Sequence, residues 1–317
     1  MSMFAIKKVI ITGATSMVGL ALINKLISVP SIEKIYAIVR PFKDGQFSKV
    51  RKIPDDLRIR IIECELKDYQ TLSSKIDDTC DIFYHLAWPR TATYDETIGD
   101  VLIKCEAVKS VIMAIQAAQL LGCRKFVGAG SQSEYGIHPD GIYSVDNYCD
   151  PVRIDGILHL AAGQIGRQIA EMSGMIFIWM RIFSVYGTND RENSMIMSTM
   201  DKLIKGSHCS FTKSEQTWDY VYESDVAEAF YLVGKKTSFS TTYNMASGIS
   251  YPLKDYISIL RDVIAPEAEL GIGEISYPAN PIMKMEVDVS SLTNDTGWMP
   301  KVSFEQGIRY IFESKLG

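Results

Sequence analysis

The stretch KKVIITGATSMVGLALINKLIS, residues 7–28, decides the fold. A β-branched apolar run leads into a turn that begins at Gly13 and ends at Gly19, and apolar residues at helical spacing follow it. This order predicts a strand, a tight turn and a helix. Backbone N–H groups and the positive end of the helix dipole meet at such a turn, and both favour an anion such as a pyrophosphate.

The middle of this turn differs from the usual glycine fingerprint. Ser16 stands where a further glycine is usual, so the backbone must approach a phosphate around a Cβ atom. The serine hydroxyl can still face the phosphate. An ordinary strand–turn–helix corner is the alternative interpretation. The residues predicted to bind a dinucleotide here are Gly13, Thr15, Ser16, Met17, Val18 and Gly19.

The second apolar run ends AIVRP and places Arg40 at or next to the position that discriminates between the two nicotinamide dinucleotides. An acidic residue at this point binds the ribose 2′-hydroxyl of NAD, whereas an arginine suits the 2′-phosphate of NADP. We therefore expect NADP or NAD as the cofactor, with NADP slightly favoured. A solvated arginine at a strand end is the alternative.

Short β-branched runs alternate with longer helical patterns through the first half of the chain, and the second half is less regular. Alternation with nearly continuous apolar strands predicts an α/β fold with a Rossmann-type doubly wound parallel sheet. We expect the dinucleotide-binding domain over residues 1–187 and a smaller C-terminal substrate-binding portion over 188–317. Residues 221–249 are expected to return to the dinucleotide-binding domain.

Composition excludes several classes of protein. The 317 residues carry a formal net charge of −5, which gives no electrostatic reason to expect binding to nucleic acid or to an anionic membrane surface. No apolar run reaches the length of a transmembrane helix. Six cysteines and four histidines are scattered without metal-ligand or disulfide spacing, so we expect no metal and a cytoplasmic protein with free thiols.

Further stretches follow the glycine turn in a characteristic order: HLA (85–87), SQSEYG (131–136), RIFSVYG (181–187), WDYVYESDVAEA (218–229), YNMASG (243–248) and DVSSLTNDTGWMP (288–300). With them, the chain resembles the extended short-chain dehydrogenases/reductases, and within these the NAD-dependent epimerase/dehydratase branch that acts on nucleotide sugars. SQSEYG, AAGQIGR and QTWDYVYESD look most like reductases or epimerases of 4-keto-6-deoxy nucleotide sugars, of the CDP-abequose synthase type.

The resemblance implies roles for individual positions. Glu65 and Leu66 would flank the adenine, Leu86 and Ala87 would line the nicotinamide ribose, and Ser131 would polarise the reacting sugar oxygen. Trp88 is bulkier than the small residue common at its position. Trp218 stands where an arginine often precedes Asp219. The residues expected to contact the nucleotide sugar are Ser131, Gln132, Tyr135, Arg181, Ser184, Trp218 and Asp219.

Dehydratases of this branch carry an Asp–Glu pair directly after the catalytic threonine. Gln132 and Ser133 occupy those positions here. Neither side chain is a general acid at neutral pH, so a dehydratase is not expected.

The central motif of the family, YxxxK, is replaced. Alignment on AAGQIGR places Asp155 in the tyrosine position and His159 in the lysine position. Their i, i+4 spacing puts both side chains on one face of a helix. Asp155 is expected to orient the imidazole of His159, to raise its pKa and so to form an acid/base dyad. His159 also takes the place of the lysine that holds the nicotinamide ribose.

Two other hypotheses remain beside this dyad. A phenol from the preceding loop, such as Tyr143 or Tyr148, can replace the lost tyrosine. Alternatively, the chain has lost its redox chemistry and retains ligand binding, as a catalytically degenerate binding or regulatory protein. The sequence also leaves open whether the apolar faces within 101–121 and 160–172 form a homodimer contact or pack inside the monomer.

Overall fold

The computed structural model describes residues 5–41, 50, 52–89, 97–279 and 281–316. Its strands are β1 (Lys8–Thr12), β2 (Lys34–Val39), β3 (Ile59–Glu63), β4 (Ile82–His85), β5 (Lys125–Ser131), β6 (Ile142–Tyr143), β7 (Ile176–Ile182), β8 (Ser184–Tyr186), β9 (Cys209–Phe211), β10 (Thr217–Tyr222), β11 (Thr241–Met245), β12 (Ser250–Pro252), β13 (Leu270–Ile272) and β14 (Glu286–Val287).

The α-helices of the described ranges are α1 (Met17–Ile27), α2 (Leu72–Lys75), α3 (Ile98–Leu120), α4 (Ile154–Met172), α5 (Met195–Ile204), α6 (Glu223–Lys236), α7 (Leu253–Ile264), α8 (Ser290–Thr296) and α9 (Phe304–Leu316). Two 3₁₀ turns, Leu66–Thr71 and Gln132–Glu134, follow β3 and β5.

Seven parallel strands form the main sheet in the order β11-β7-β5-β4-β1-β2-β3. The strand order reverses between β1 and β4, and ligands of open α/β sheets bind in the crevice at the carboxyl ends of the strands at such a point. The predicted Rossmann-type doubly wound sheet is confirmed. The loops that follow β1, β4 and β5 all lie at this end of the sheet.

Both faces of the sheet are covered by helices, which explains why its strands are almost continuously apolar. On one face α1 and α6 pack together, and their buried side chains share a core with alternate residues of the central strands. On the other face α3 packs against α4, around stacked Phe126, Phe177 and Trp179. The core therefore fixes α1 and α4 on opposite sides of the crevice.

The second half of the chain builds a smaller cluster around α5, α7 and α9, with Ile196, Met200 and Leu260 at its centre. The methionine-rich turn of α5 is thus a buried helix face. Strand β11, in contrast, is the edge strand of the main sheet beside β7. The division into residues 1–187 and 188–317 stays a prediction. Across the described ranges, no helix is long and apolar enough to cross a membrane.

Candidate active site

The turn after β1 is held in close contact with the loop after β4. Gly13 has φ +68°, and a Cβ atom there would lie 2.7 Å from the carbonyl carbon of Leu86. A Cβ atom at Gly19 would lie 2.3 Å from the carbonyl oxygen of Gly13. Only glycine fits these two positions, because a side chain would clash with backbone and, at Gly13, would also need a left-handed conformation.

Ser16 has a defined local role in this turn. Its backbone amide donates to the Gly13 carbonyl at 2.9 Å, and its hydroxyl accepts from the Gly19 amide at 3.0 Å as the N-cap of α1. The first turn of α1 carries no acidic side chain. Its positive end is therefore available to an anion, and the Ser16 hydroxyl still has its own proton to donate.

A cleft of about 210 Å³ opens beside this turn. Seven of the predicted cofactor residues line it: Gly13, Thr15, Ser16, Arg40, Leu66, Leu86 and Ala87. Five described residues that were not predicted to bind the cofactor also line the cleft: Ile38, Val39, Tyr69, Trp88 and Pro89. The other five predicted cofactor residues, Met17, Val18, Gly19, Glu65 and His159, do not line this cleft. The residues present fit the adenosine and diphosphate parts of a dinucleotide.

His85, the last residue of β4, is a core residue. It is fully buried, and its Nδ1 lies 2.9 Å from the Thr12 hydroxyl. Burial lowers the pKa of His85 to about 3, so the imidazole is neutral at neutral pH.

Ser131 ends β5 and begins the 3₁₀ turn. Its hydroxyl accepts hydrogen bonds from the Ser133 amide at 3.2 Å and from the Ser133 hydroxyl at 2.8 Å. Its amide donates to Glu134 at 2.9 Å, which completes a capping box. Ser131 is thereby held at the carboxyl end of the sheet with a hydroxyl proton of its own to donate. The Oε1 atom of its neighbour Gln132 is buried without a described hydrogen-bond partner.

Behind this turn, Glu134 organises a buried polar network. Its carboxylate accepts from the Trp179 indole at 2.9 Å and from the Arg181 guanidinium at 2.8 Å. The guanidinium also lies 4.5 Å from the ring centroid of Tyr135, and the Tyr135 hydroxyl donates to Asn244 at 2.7 Å. Tyr135 and Arg181, which were predicted to contact the nucleotide sugar, are 1% and 8% exposed and support the Ser131 turn from inside.

The other predicted substrate residues lie where β8 and β10 run side by side. Trp218 donates its indole proton to the Ser184 hydroxyl at 2.7 Å. Asp219 is fully buried, and its carboxylate accepts from the amides of Ser247 and Gly248 at 2.8 Å each. Asp219 therefore anchors the turn after β11. Contact of these residues with a sugar nucleotide stays a prediction.

The altered pair lies in the first turns of α4, and its geometry differs from the expected dyad. Asp155 Oδ1 lies 3.0 Å from the ammonium of Lys104, which comes from α3. The Nδ1 atom of His159 is enclosed and has no hydrogen-bond partner among the described residues. The neutral tautomer that avoids a buried, unpaired N–H carries its proton on Nε2.

His159 also packs against Trp88, with ring centroids 3.6 Å apart and the ring planes tilted by 39°. Burial lowers the pKa of His159 to about 4, and the Asp155 carboxylate offsets only part of this effect. Asp155 therefore raises the pKa of this imidazole as predicted, but the net shift is downward because burial has the larger effect. The desolvation of a charged imidazole outweighs its attraction to a carboxylate that is itself bound to Lys104.

A second, small cavity of about 30 Å³ lies beside the altered pair. Its described walls are Trp88, Pro89, Lys104, Ala107, Asp155, Leu158 and His159. Trp88 and Pro89 line both this cavity and the larger cleft. The indole of Trp88 donates to the Ala129 carbonyl at 2.8 Å, which fixes it between the two. The larger cleft and the Asp155–His159 pair are therefore neighbours.

A glycine brings α4 close to the Ser131 turn. A Cβ atom at Gly156 would lie 2.1 Å from the carbonyl oxygen of Ser133. The first turn of α4, which carries Asp155, is thus in backbone contact with the turn that holds Ser131. All three predicted catalytic residues, Ser131, Asp155 and His159, lie on these two adjoining elements.

The two candidate phenols occupy different environments. Tyr143 is 1% exposed and packs against Tyr135 and Phe183. Tyr148 is 63% exposed and lies near His138. Neither lines the cleft or the small cavity, so the geometry gives the relocated-phenol hypothesis no support. Within the part of the chain that the structure describes, no group of three or more potential ligands is arranged to hold a metal.

Three side chains of this region were not predicted from the sequence. The capping-box pattern S-x-x-E was a usable signal for Glu134, because a glutamate three residues after a serine caps a turn. Trp179 was signalled only by the small residues around it. Gly128, Gly130 and Gly163 each leave room for its indole. Lys104 had no sequence signal, since its pairing depends on how α3 and α4 pack.

Known proteins resemble this chain along its whole length. Residues 9–246 match the model of the NAD dependent epimerase/dehydratase family. The CDP-abequose synthase of Salmonella muenchen is 22% identical over 311 residues, which cover 98% of each chain. The CDP-abequose synthase of Salmonella typhimurium is 29% identical over 156 residues, which are 47% of this chain and only about half (52%) of that protein.

Solved structures share the fold. The UDP-glucose 4-epimerase of Thermotoga maritima, solved with UDP-glucose, superposes with a TM-score of 0.83 at 17% identity, covering 98% of this chain and all of the other. The UDP-glucuronic acid 4-epimerase of Bacillus cereus, solved with UDP-glucuronic acid and NAD, gives 0.82 at 19% identity over 98% and 100%. From the family match over most of its length, this chain belongs to the NAD-dependent epimerase/dehydratase family.

Proposed function

We propose that this protein binds NADP or NAD and acts on a nucleotide sugar as a reductase or epimerase with an altered proton-transfer site. The observation that carries the proposal is the position of Trp88, which lines both the dinucleotide cleft and the cavity of Asp155 and His159. A dinucleotide that extends from the glycine turn along this cleft reaches the altered pair. One relative that matches along almost the whole chain is a CDP-abequose synthase, and this similarity supports a nucleotide-sugar substrate.

The bound dinucleotide would supply or accept hydride. The residues of this chain would do the rest. Ser131 would donate a hydrogen bond from its hydroxyl to the reacting sugar oxygen and so polarise it, because its own acceptor lone pairs are used by Ser133. His159, neutral and with its proton on Nε2, would act first as a hydrogen-bond donor in the place of the missing lysine. Asp155 would orient the two side chains that share its cavity, Lys104 and His159.

Arg40 supports NADP over NAD. It follows β2 directly, is exposed, and lines the cleft. A guanidinium at this position can form paired hydrogen bonds with a 2′-phosphate. We do not propose a dehydratase activity on the nucleotide sugar. The relatives include a dTDP-glucose 4,6-dehydratase of Shigella flexneri, but Gln132 and Ser133 offer no general acid after Ser131.

The second candidate function is a binding protein without turnover. The contact of Asp155 with Lys104 and the enclosure of Nδ1 in His159 favour it, because neither residue is arranged as a free general base. Such a protein would use the dinucleotide or the nucleotide sugar as a regulatory ligand. We also propose a homodimer, supported by exposed apolar side chains on both packed helices, Ile98 and Leu102 on α3 and Ile157 on α4.

The first experiment is to denature freshly purified protein and to identify any released dinucleotide by mass spectrometry. One NADP or NAD per chain is the expected result. For protein that carries none, NADPH and NADH are titrated, with Arg40→Ser as the variant that should lose the preference for NADPH. If neither dinucleotide binds, the proposed function is wrong.

The second experiment separates the two candidate functions. Oxidation of NADPH is followed with a 4-keto-6-deoxy nucleotide sugar for the wild type and for Asp155→Tyr/His159→Lys. Existing turnover that the double substitution abolishes means that the altered pair is the mechanism. No turnover in the wild type and a clear gain in the variant means that the chain is a binding protein on an enzyme scaffold. NADPH oxidation with a simple carbonyl compound would indicate a reductase of another substrate class.

A further inference from the structure

Lys104 is an unusual residue for a helix–helix contact. Its side chain is only 8% exposed, although it comes from α3 and its ammonium lies 3.0 Å from the Asp155 carboxylate on α4. A lysine is almost never buried unless it is paired, because removal of its ammonium from water is costly. The contact therefore defines where the Asp155 side chain points.

The Asp155 carboxylate is held from two sides. Besides the Lys104 ammonium, it lies in the first turn of α4, where the helix dipole favours a negative charge. Lys104, Asp155 and His159 all line the same cavity of about 30 Å³. A cation, an anion and a neutral imidazole thus share one small space beside the dinucleotide cleft.

One other charge pair near this space is already matched. On the sheet side of α4, the Glu134 carboxylate pairs with the Arg181 guanidinium at 2.8 Å, and both are buried. Among the described residues that line the cavity, the ionisable ones are Lys104, Asp155 and His159. Lys104 and Asp155 are therefore the charged side chains that share this cavity with His159.

We propose that Lys104 is a positioning residue of this site: from the neighbouring helix it supplies the positive charge that a lysine at position 159 would supply, and it fixes the Asp155 carboxylate beside His159. This inference rests on the proposed function, because it concerns the same site. It adds a residue that no motif marks.

The test is an NMR titration of the four histidine ring signals in the full-length protein, with His159 assigned from its absence in His159→Gln. Three substitutions are compared with the wild type. Lys104→Met removes the charge and keeps the length of the side chain, and Lys104→Arg keeps the charge. Lys109→Met is the matched control, since it removes an exposed lysine from the same helix.

Lys104→Met is expected to raise the pKa of His159 by about 1 or more, since a cation is lost and the carboxylate is released. Lys104→Arg should restore the wild-type titration, and Lys109→Met should not alter it. An unchanged titration of His159 in folded Lys104→Met overturns the proposal. A shift of the His159 pKa in Lys109→Met as large as that in Lys104→Met also overturns the proposal.

Asp155→Asn tests the same contact from the other side if Lys104→Met does not fold. Loss of the carboxylate should lower the pKa of His159 below about 4, its wild-type value. A wild-type midpoint in Asp155→Asn overturns the proposal. These titrations need no dinucleotide and no substrate, so their result is independent of the mass-spectrometric test of the proposed function.

Discussion

Acidification should destabilise this protein through His159. Its imidazole has a reference pKa of about 6.5 in the unfolded chain, and burial lowers the pKa to about 4 in the folded protein. The pKa of His159 is lower in the folded protein than in the unfolded chain. The folded protein therefore has its full stability, as far as His159 is concerned, at pH values above about 6.5, the pKa in the unfolded chain. The contribution of His159 to this stability is lost as the pH falls from about 6.5 towards about 4, where the unfolded state binds a proton that the folded state does not.

The size of this loss follows from the pKa difference. Each pH unit in which only the unfolded state is protonated costs about 1.4 kcal/mol, so a fall to about pH 4.5 costs at most about 2.5 kcal/mol. The ring is half-buried, and the hydration that it keeps reduces the figure to about 1–2.5 kcal/mol.

The measurement is urea unfolding at pH 7 and at about pH 4.5 for the wild type, His159→Gln and His208→Gln. Titrating groups that neither substitution touches contribute equally to all three proteins and cancel in the comparison. His159→Gln should lose about 1–2.5 kcal/mol less on acidification than the wild type. His208 is the matched control, since its side chain is 57% exposed and contacts Glu274 at the surface. If His159→Gln and the wild type lose the same free energy of unfolding, His159 is not held neutral and the reasoning fails.

Two glycine substitutions test the backbone contacts of the site. Gly156→Ala should cost about 1–3 kcal/mol instead of the usual gain for alanine in a helix, because its Cβ would lie 2.1 Å from the Ser133 carbonyl oxygen. Gly99→Ala in α3 meets only an ordinary contact at 3.6 Å and should not destabilise. Equal melting temperatures for the two variants would contradict this account. Gly13→Ala should weaken dinucleotide binding at least about tenfold, which is about 1.4 kcal/mol by calorimetry, and an unchanged Kd would mean that the ligand binds elsewhere.

The features that the sequence predicted correctly are local in the chain. The order of strand, glycine turn and helix in residues 7–28 depends on neighbouring residues, and the apolar strands report their burial on both faces directly. Seven of the predicted cofactor residues line one cleft because they come from loops that parallel strands necessarily bring to one edge of the sheet.

The features that the sequence did not predict arise between elements. The spacing of Asp155 and His159 indicated one helical face and therefore a dyad, but Asp155 contacts Lys104 on another helix. The burial of His159 under Trp88 reverses the expected direction of its pKa, and a motif does not report desolvation. The ion pair of Arg181 with buried Glu134 is likewise a contact between elements that the sequence did not predict, and the expected contact of Arg181 with a ligand stays a prediction.

These contacts explain how the scaffold accommodates the loss of the tyrosine and the lysine. A lysine in the family motif both provides a positive charge and donates a hydrogen bond to the ribose. On our proposals these two tasks are divided here. Lys104 brings the charge from α3, and His159 offers a neutral Nε2–H from α4. A neutral donor packed against an indole costs less desolvation in a narrow cavity than a second ammonium would, and it avoids repulsion from Lys104. The division therefore favours histidine at position 159 once a lysine lies at position 104.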